Sequence, residues 1–229
     1  MTGLDAAAAF RDPAALLLLL HGGKVSSYEP VRRGNLAALR MSALARALGP
    51  GLGLPILTLR NRYRGWNDKD GARTPSPVRD ALWALETIEQ RLGPTPVILV
   101  GHSLGGRTAV RVAHYPTVRA VAALAPWLPL GEPADPLNGR RVIIAHGLRD
   151  KVTDPEHSVA FAERASTVAD TVWLKLVDDG HALLRAPATW NGLVRDFATL
   201  AAHGPRSEGL DAEWPGLPGS APARLRRAV

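Results

Sequence analysis

Apolar runs of strand length recur along the chain, each bounded by Gly, Pro or polar positions. They lie at residues 14–20, 55–59, 96–100, 120–124, 141–145 and 171–177. Most are continuously apolar rather than alternating, the pattern of strands covered on both faces in a parallel sheet. Val97, Ile98, Leu99 and Val100 form the clearest run, expected at the sheet centre. Between the runs, apolar positions repeat with helical spacing. Asn35 can cap a helix over 36–48 that Gly49-Pro50 ends. Ser76-Pro77 starts another that runs to Gly93-Pro94, with Pro at its first position. Further helices are expected over 104–114, from Asp154-Pro155 to about 168, and over 188–202.

This alternation predicts an α/β protein: a doubly wound, mostly parallel six-stranded sheet flanked by helices with right-handed crossovers. The Pro-rich connection 126–139 is too short for a lid domain. Residues 1–203 are expected to form the domain. After His203 the composition turns to Gly, Pro, Ala and Arg without periodicity, so 204–229 read as a mostly disordered tail.

Composition narrows the chemistry. Of 229 residues, 46% are hydrophobic, enough for one packed core. No cysteine is present, which excludes a disulfide scaffold, a thiolate metal site and a cysteine nucleophile. No apolar run reaches the roughly 20 residues a bilayer needs. The run at 14–20 follows Asp5 and Asp12 rather than a basic leader, unlike a signal peptide. A soluble, cytoplasmic protein without a membrane partner is expected. The formal charge is +7. Part of it lies over 60–79, where Arg60, Arg62, Arg64, Lys69, Arg73 and Arg79 face only Asp68 and Asp70. Without zinc-finger spacing or an aromatic RNA-binding signature, nucleic acid is not an expected partner.

Gly101-His102-Ser103-Leu104-Gly105 is the sharpest signal. It is G-x-S-x-G directly after a buried strand and before a helix, the context of a nucleophile elbow. Two other readings compete. Gly101 to Thr108 nearly matches a phosphate-binding loop, but Arg107 stands where that loop needs lysine. A chance Gly-rich turn is the bland reading. A serine nucleophile needs a base, and the base needs an orienting acid. In this arrangement the chain order is Ser, acid, His. His146-Gly147-Leu148-Arg149-Asp150 follows the fifth run, and Asp178-Asp179-Gly180-His181 the sixth. Asp150 is preferred to Asp154, whose place before Pro155 suits a helix cap. Asp178 and Asp179 are expected to shape the turn before His181, His102 to pack beside the elbow, and His146 to hold the acid loop. No His pair has zinc-protease spacing, so no metal is expected. An acyl-transfer oxyanion needs about two backbone donors at roughly 3 Å. The Leu104 amide is one. The other is expected from His21-Gly22-Gly23, with Gly23 first and Lys24 second.

These residues together resemble the α/β-hydrolase family, over about residues 14–203. The resemblance implies a Ser103–His181–Asp150 triad in a small lidless member, similar to short esterases. Dienelactone hydrolases are also similar but use a cysteine that this chain lacks. It implies a cofactor-free serine hydrolase acting on a small-molecule ester, with a carboxylesterase foremost. Acyl transfer and thioester or amide hydrolysis use the same triad, and a non-catalytic binding protein could share the scaffold. Loops at the carboxyl ends of strands line pockets in open α/β sheets. That nominates Tyr63, Trp66 and Trp127 as substrate-pocket residues. Arg62 or Arg64 could favour an anionic substrate. A solvated basic loop with Trp66 tucked against the body is the alternative.

Overall fold

The computed structural model describes residues 3–7, 13–68, 74–203 and 225–228. Eight strands form one sheet: β1 (Gly3–Ala7), β2 (Leu16–Leu20), β3 (Ile56–Arg60), β4 (Val97–His102), β5 (Val118–Leu124), β6 (Arg141–Gly147), β7 (Thr171–Val177) and β8 (Leu225–Ala228). Their order is β1-β3-β2-β4-β5-β6-β7-β8. Only β1 is antiparallel, against β3. The six expected strands are present, and β1 and β8 add one to each edge. Residues 225–228 thus pair with β7 rather than belonging to a disordered tail, while 204–224 lie outside the described residues.

The continuous apolar runs have a direct explanation. Successive side chains of a strand point to opposite faces, and both faces are covered. Leu16, Leu18, Leu20, Leu99, Val121, Ile144 and Leu174 pack with α2 (Ser76–Leu92), α3 (Leu104–Val112) and α4 (Pro155–Ala165). Leu17, Leu19, Ile98, Val100, Ile143 and Trp173 pack with α1 (Leu36–Leu52) and α5 (Pro187–His203). Every β2 and β4 residue is buried, which places the elbow at the end of a central strand.

Helix α2 begins at Ser76 itself, without a side-chain cap and with Pro77 second rather than first, whereas the other helix signals act as their chemistry requires. The Asn35 side chain accepts from the Ala37 and Ala38 amides. Helix α1 is broken at Pro50 (ψ 117°) and Gly51 (φ 82°), because proline cannot supply an interior amide and clashes with the preceding turn. Asp154 caps α4 by accepting from Glu156 N at 2.9 Å. That helix ends at Ala165, short of 168, in a turn where Thr167 N and Oγ1 both bond to Arg164 O. The connection 126–139 holds a single 3-10 turn, Asp135–Leu137, and no lid domain. Among the described residues no helix is long and apolar enough to cross a membrane.

Candidate active site

Ser103 sits between β4 and α3 with φ 56° and ψ −119°. A non-glycine residue at positive φ carries strain of about 1–3 kcal/mol and persists only when its surroundings fix it. Four main-chain hydrogen bonds do so. Ser103 N donates to Leu124 O at 3.0 Å, and Ser103 O accepts from the amides of Gly106 (3.0 Å), Arg107 (3.2 Å) and Trp127 (3.1 Å). The tight turn explains the flanking glycines. A Cβ on Gly101 would lie 2.2 Å from Gly105 O, and one on Gly105 would lie 2.1 Å from Leu20 O.

The loops after β6 and β7 bring Asp150 and His181 to this serine. His181 Nε2 is 2.9 Å from Ser103 Oγ, and His181 Nδ1 is 2.7 Å from Asp150 Oδ2. The tautomer satisfying both partners carries its proton on Nδ1, donating to Asp150 and leaving Nε2 to accept from the serine hydroxyl. Asp154, at its cap, takes no part in this contact.

Asp150 is held by more than the histidine. Its Oδ1 accepts from the amides of Val152 (2.8 Å) and Thr153 (2.9 Å). Its Oδ2 accepts from Thr153 Oγ1 at 2.8 Å and from His146 Nε2 at 3.1 Å. Burial pushes its carboxyl up, but the Thr153 amide, His181, the Val152 amide and the Thr153 hydroxyl outweigh it and hold it at about 2. His146 is fully buried, and burial lowers its proton affinity against the opposing Asp150 charge. It is a neutral ring that donates to Asp150 and accepts from Ser158 Oγ at 2.7 Å. Nothing in the sequence singled out Thr153 or Ser158. Their spacing from Asp150 becomes meaningful only when the loop closes.

The histidine loop has its own organiser. Asp179, 1% exposed, accepts from the amides of Gly180 (2.6 Å) and Ala186 (3.1 Å) and from Trp190 Nε1 (2.9 Å). Arg149 Nη2 donates to Asp178 at 2.7 Å and ties the acid loop to the histidine loop. His102 Nε2 donates to His181 O at 2.8 Å. Burial, followed by the neighbouring His181, pushes His102 down to about 3, so it stays neutral. Its buried Nδ1 has no hydrogen-bond partner.

The two segments expected to supply oxyanion donors meet at the same corner. Leu104 is the first residue of α3, where amides have no intrahelical acceptor. The Gly22–Gly23 segment abuts the elbow: a Cβ on Gly22 would lie 3.3 Å from Ser103 Cβ, and one on Gly23 would lie 3.1 Å from Leu104 Cδ1. The Lys24 amide is engaged by Arg64 O at 2.7 Å. His21 anchors this loop, with Nδ1 2.7 Å from Gly22 O and Nε2 accepting from Asn61 N at 3.1 Å.

A cleft of about 960 Å³ opens along Gly22 and Gly23 towards the start of α1. The aromatic residues nominated for a pocket do not line it. Trp66 is 0% exposed and packs edge-on against Trp127 at 6.0 Å. Both rings flank the Arg107 guanidinium, 4.0 Å from Trp66 and 4.5 Å from Trp127. Tyr63 packs edge-on against Tyr28 at 5.4 Å. The sequence could not show that Arg107 would be buried, bonded to Glu132 at 2.7 Å, and would recruit both tryptophans as its cover. Among the described residues no group of three or more His, Asp or Glu is placed to hold a metal ion.

Solved structures share this fold. The serine hydrolase homologue from Coxiella burnetii superposes with a TM-score of 0.63 at 18% identity, covering 86% of this chain and 90% of that one. An esterase from Pyrococcus furiosus gives 0.64 at 17% identity, covering 81% of each chain. A lysophosphatidylserine lipase from Danio rerio is 39% identical over 62 residues, which is 27% of this chain and only 16% of that protein's length. A family model for the Alpha/beta hydrolase family matches residues 17–226, a span running from β2 into β8 that takes in the elbow and both loops, and the chain belongs to that family.

Proposed function

We propose that the protein is a carboxylic ester hydrolase acting on small to medium acyl esters through a Ser103–His181–Asp150 triad. The observation that carries this reading is the unbroken relay from Ser103 Oγ to His181 Nε2 (2.9 Å) and from His181 Nδ1 to Asp150 Oδ2 (2.7 Å). Ser103 Oγ attacks the ester carbonyl while His181 takes its proton. The carbonyl oxygen becomes an oxyanion against the Leu104 and Gly23 amides. Collapse breaks the bond to the alkoxide, which leaves as the alcohol with the proton from His181. Water then adds to the acyl-enzyme by the same route and releases the carboxylic acid. Asp150 stays ionised, fixes the imidazole tautomer and stabilises the imidazolium. Esterase and lipase activities among the similar proteins support an ester over an amide.

Hydrolysis of a p-nitrophenyl acyl ester series tests this. Wild type is expected to turn over the short members, with Ser103→Ala and His181→Ala at least 10³-fold slower. Ser103→Ala retaining wild-type turnover would contradict it.

A further inference from the structure

The cleft beside Gly22–Gly23 has an uneven charge. Lys24, Arg32, Arg40 and Arg64 line it with one carboxylate, Glu29. Glu29 is engaged in an ion pair with Arg64. Among the described residues, Lys24, Arg32 and Arg40 have no carboxylate within 4.0 Å. Arg40 is the most informative of the three. Its Nε is buried without a hydrogen-bond partner, a donor that has lost water and gained no acceptor. Burial lowers its proton affinity, and its charge acts on His102, the neighbour of Ser103.

Arg40 is carried by α1, and the wall carrying Lys24 and Arg64 is fixed by main-chain bonds. The loop after β2 is bound to the loop after β3 through Lys24 N–Arg64 O (2.7 Å), Arg64 N–Glu29 O (3.0 Å) and Val31 N–Arg62 O (3.1 Å). Asn67, at φ 58°, accepts from Ser27 N at 2.8 Å. A Cβ on Gly65 would lie 2.1 Å from Ser27 N, so that approach needs glycine. Such a frame positions charge in advance of binding, which lowers the ordering cost of capture.

We infer that this cleft is the subsite for an anionic group, a carboxylate or a phosphate, carried by the ester whose carbonyl meets Ser103. The inference rests on the hydrolase reading above and names its substrate class. Gly22 and Gly23 belong both to the cleft wall and to the segment against the elbow. A substrate with its carbonyl oxygen on the Gly23 amide therefore borders the cleft that Arg40 and Lys24 line. Arginine suits the task, since its planar fork binds both carboxylate and phosphate oxygens.

The test uses two charged and neutral ester pairs. One is the phenyl monoester of succinic acid beside that of succinamic acid. The other is a short-chain acyl glycerol 3-phosphate beside the matching acyl glycerol. Wild type is expected to favour the charged member of at least one pair by tenfold or more in kcat/KM, and the responding pair identifies carboxylate or phosphate. Arg40→Gln should cut that preference at least fivefold, chiefly through KM, and Arg40→Lys should restore part of it. Salt at about 0.5 M should also reduce it. Equal kcat/KM within both pairs, with the neutral esters turned over, would overturn the subsite and leave the hydrolase reading standing. No turnover of any of the four and no fluorophosphonate label on folded protein would overturn both.

Discussion

Five donors converge on the Asp150 carboxylate: two amides, the Thr153 hydroxyl, His146 and His181. The charged form is therefore favoured in the folded state and its pKa is held at about 2. A depressed folded value gives stability that is present above the ordinary carboxylate range and is lost as pH falls through about 2. Asp150 is thus ionised throughout the working range. Asp150→Asn should lower kcat about 10³–10⁴-fold by favouring the wrong imidazole tautomer. It should also flatten the loss of urea stability between about pH 4 and 2. An Asn variant with near-wild-type kcat would contradict Asp150 as the orienting acid. Ser103, Asp150 and His181 were legible in the sequence because each follows an apolar run at the carboxyl end of a strand, in a fixed chain order. Thr153 and Ser158 were not, because their contacts with Asp150 and His146 form only when the segment between β6 and α4 closes on itself, and the choice between a buried and a pocket-lining Trp66 depended on Arg107.

At the scale of elements, two ion-pair sites join neighbouring segments with different consequences. Arg107 and Arg111 of α3 both bond to Glu132 in the connection after β5, and the Glu132 side chain is 1% exposed. Removing one partner of a buried pair leaves an uncompensated charge, so Glu132→Ala is expected to cost about 3–5 kcal/mol. The Arg149–Asp178 pair joins the acid and histidine loops with both side chains more than half exposed. Asp178→Ala should cost about 1 kcal/mol or less. Chemical denaturation of the two variants checks the contrast, and equal losses would contradict it. The sequence marked the helices through their start and stop signals: Asn35, Ser76-Pro77 and Asp154-Pro155 at the starts, Pro50 as a break. It did not mark the Arg107–Glu132 contact. There Arg107 looked only like a departure from a phosphate-loop lysine.

For the whole molecule, the six strands with continuous apolar runs were legible because burial on both faces leaves that imprint. The two edge strands carry none. Gly3–Ala7 reads GLDAA and Leu225–Ala228 reads LRRA, and main-chain pairing with one neighbour sets each of them. The family follows from the arrangement of the elbow and two loops on this sheet, whereas the reaction follows from the reactivity of Ser103. Fluorophosphonate labelling, with the adduct located by peptide mass spectrometry, tests that reactivity most directly. The account predicts one adduct on Ser103 of the wild-type protein, absent from Ser103→Ala and lost from folded His181→Ala. Wild-type protein that is folded and unlabelled, or labelled at another residue, would contradict the account.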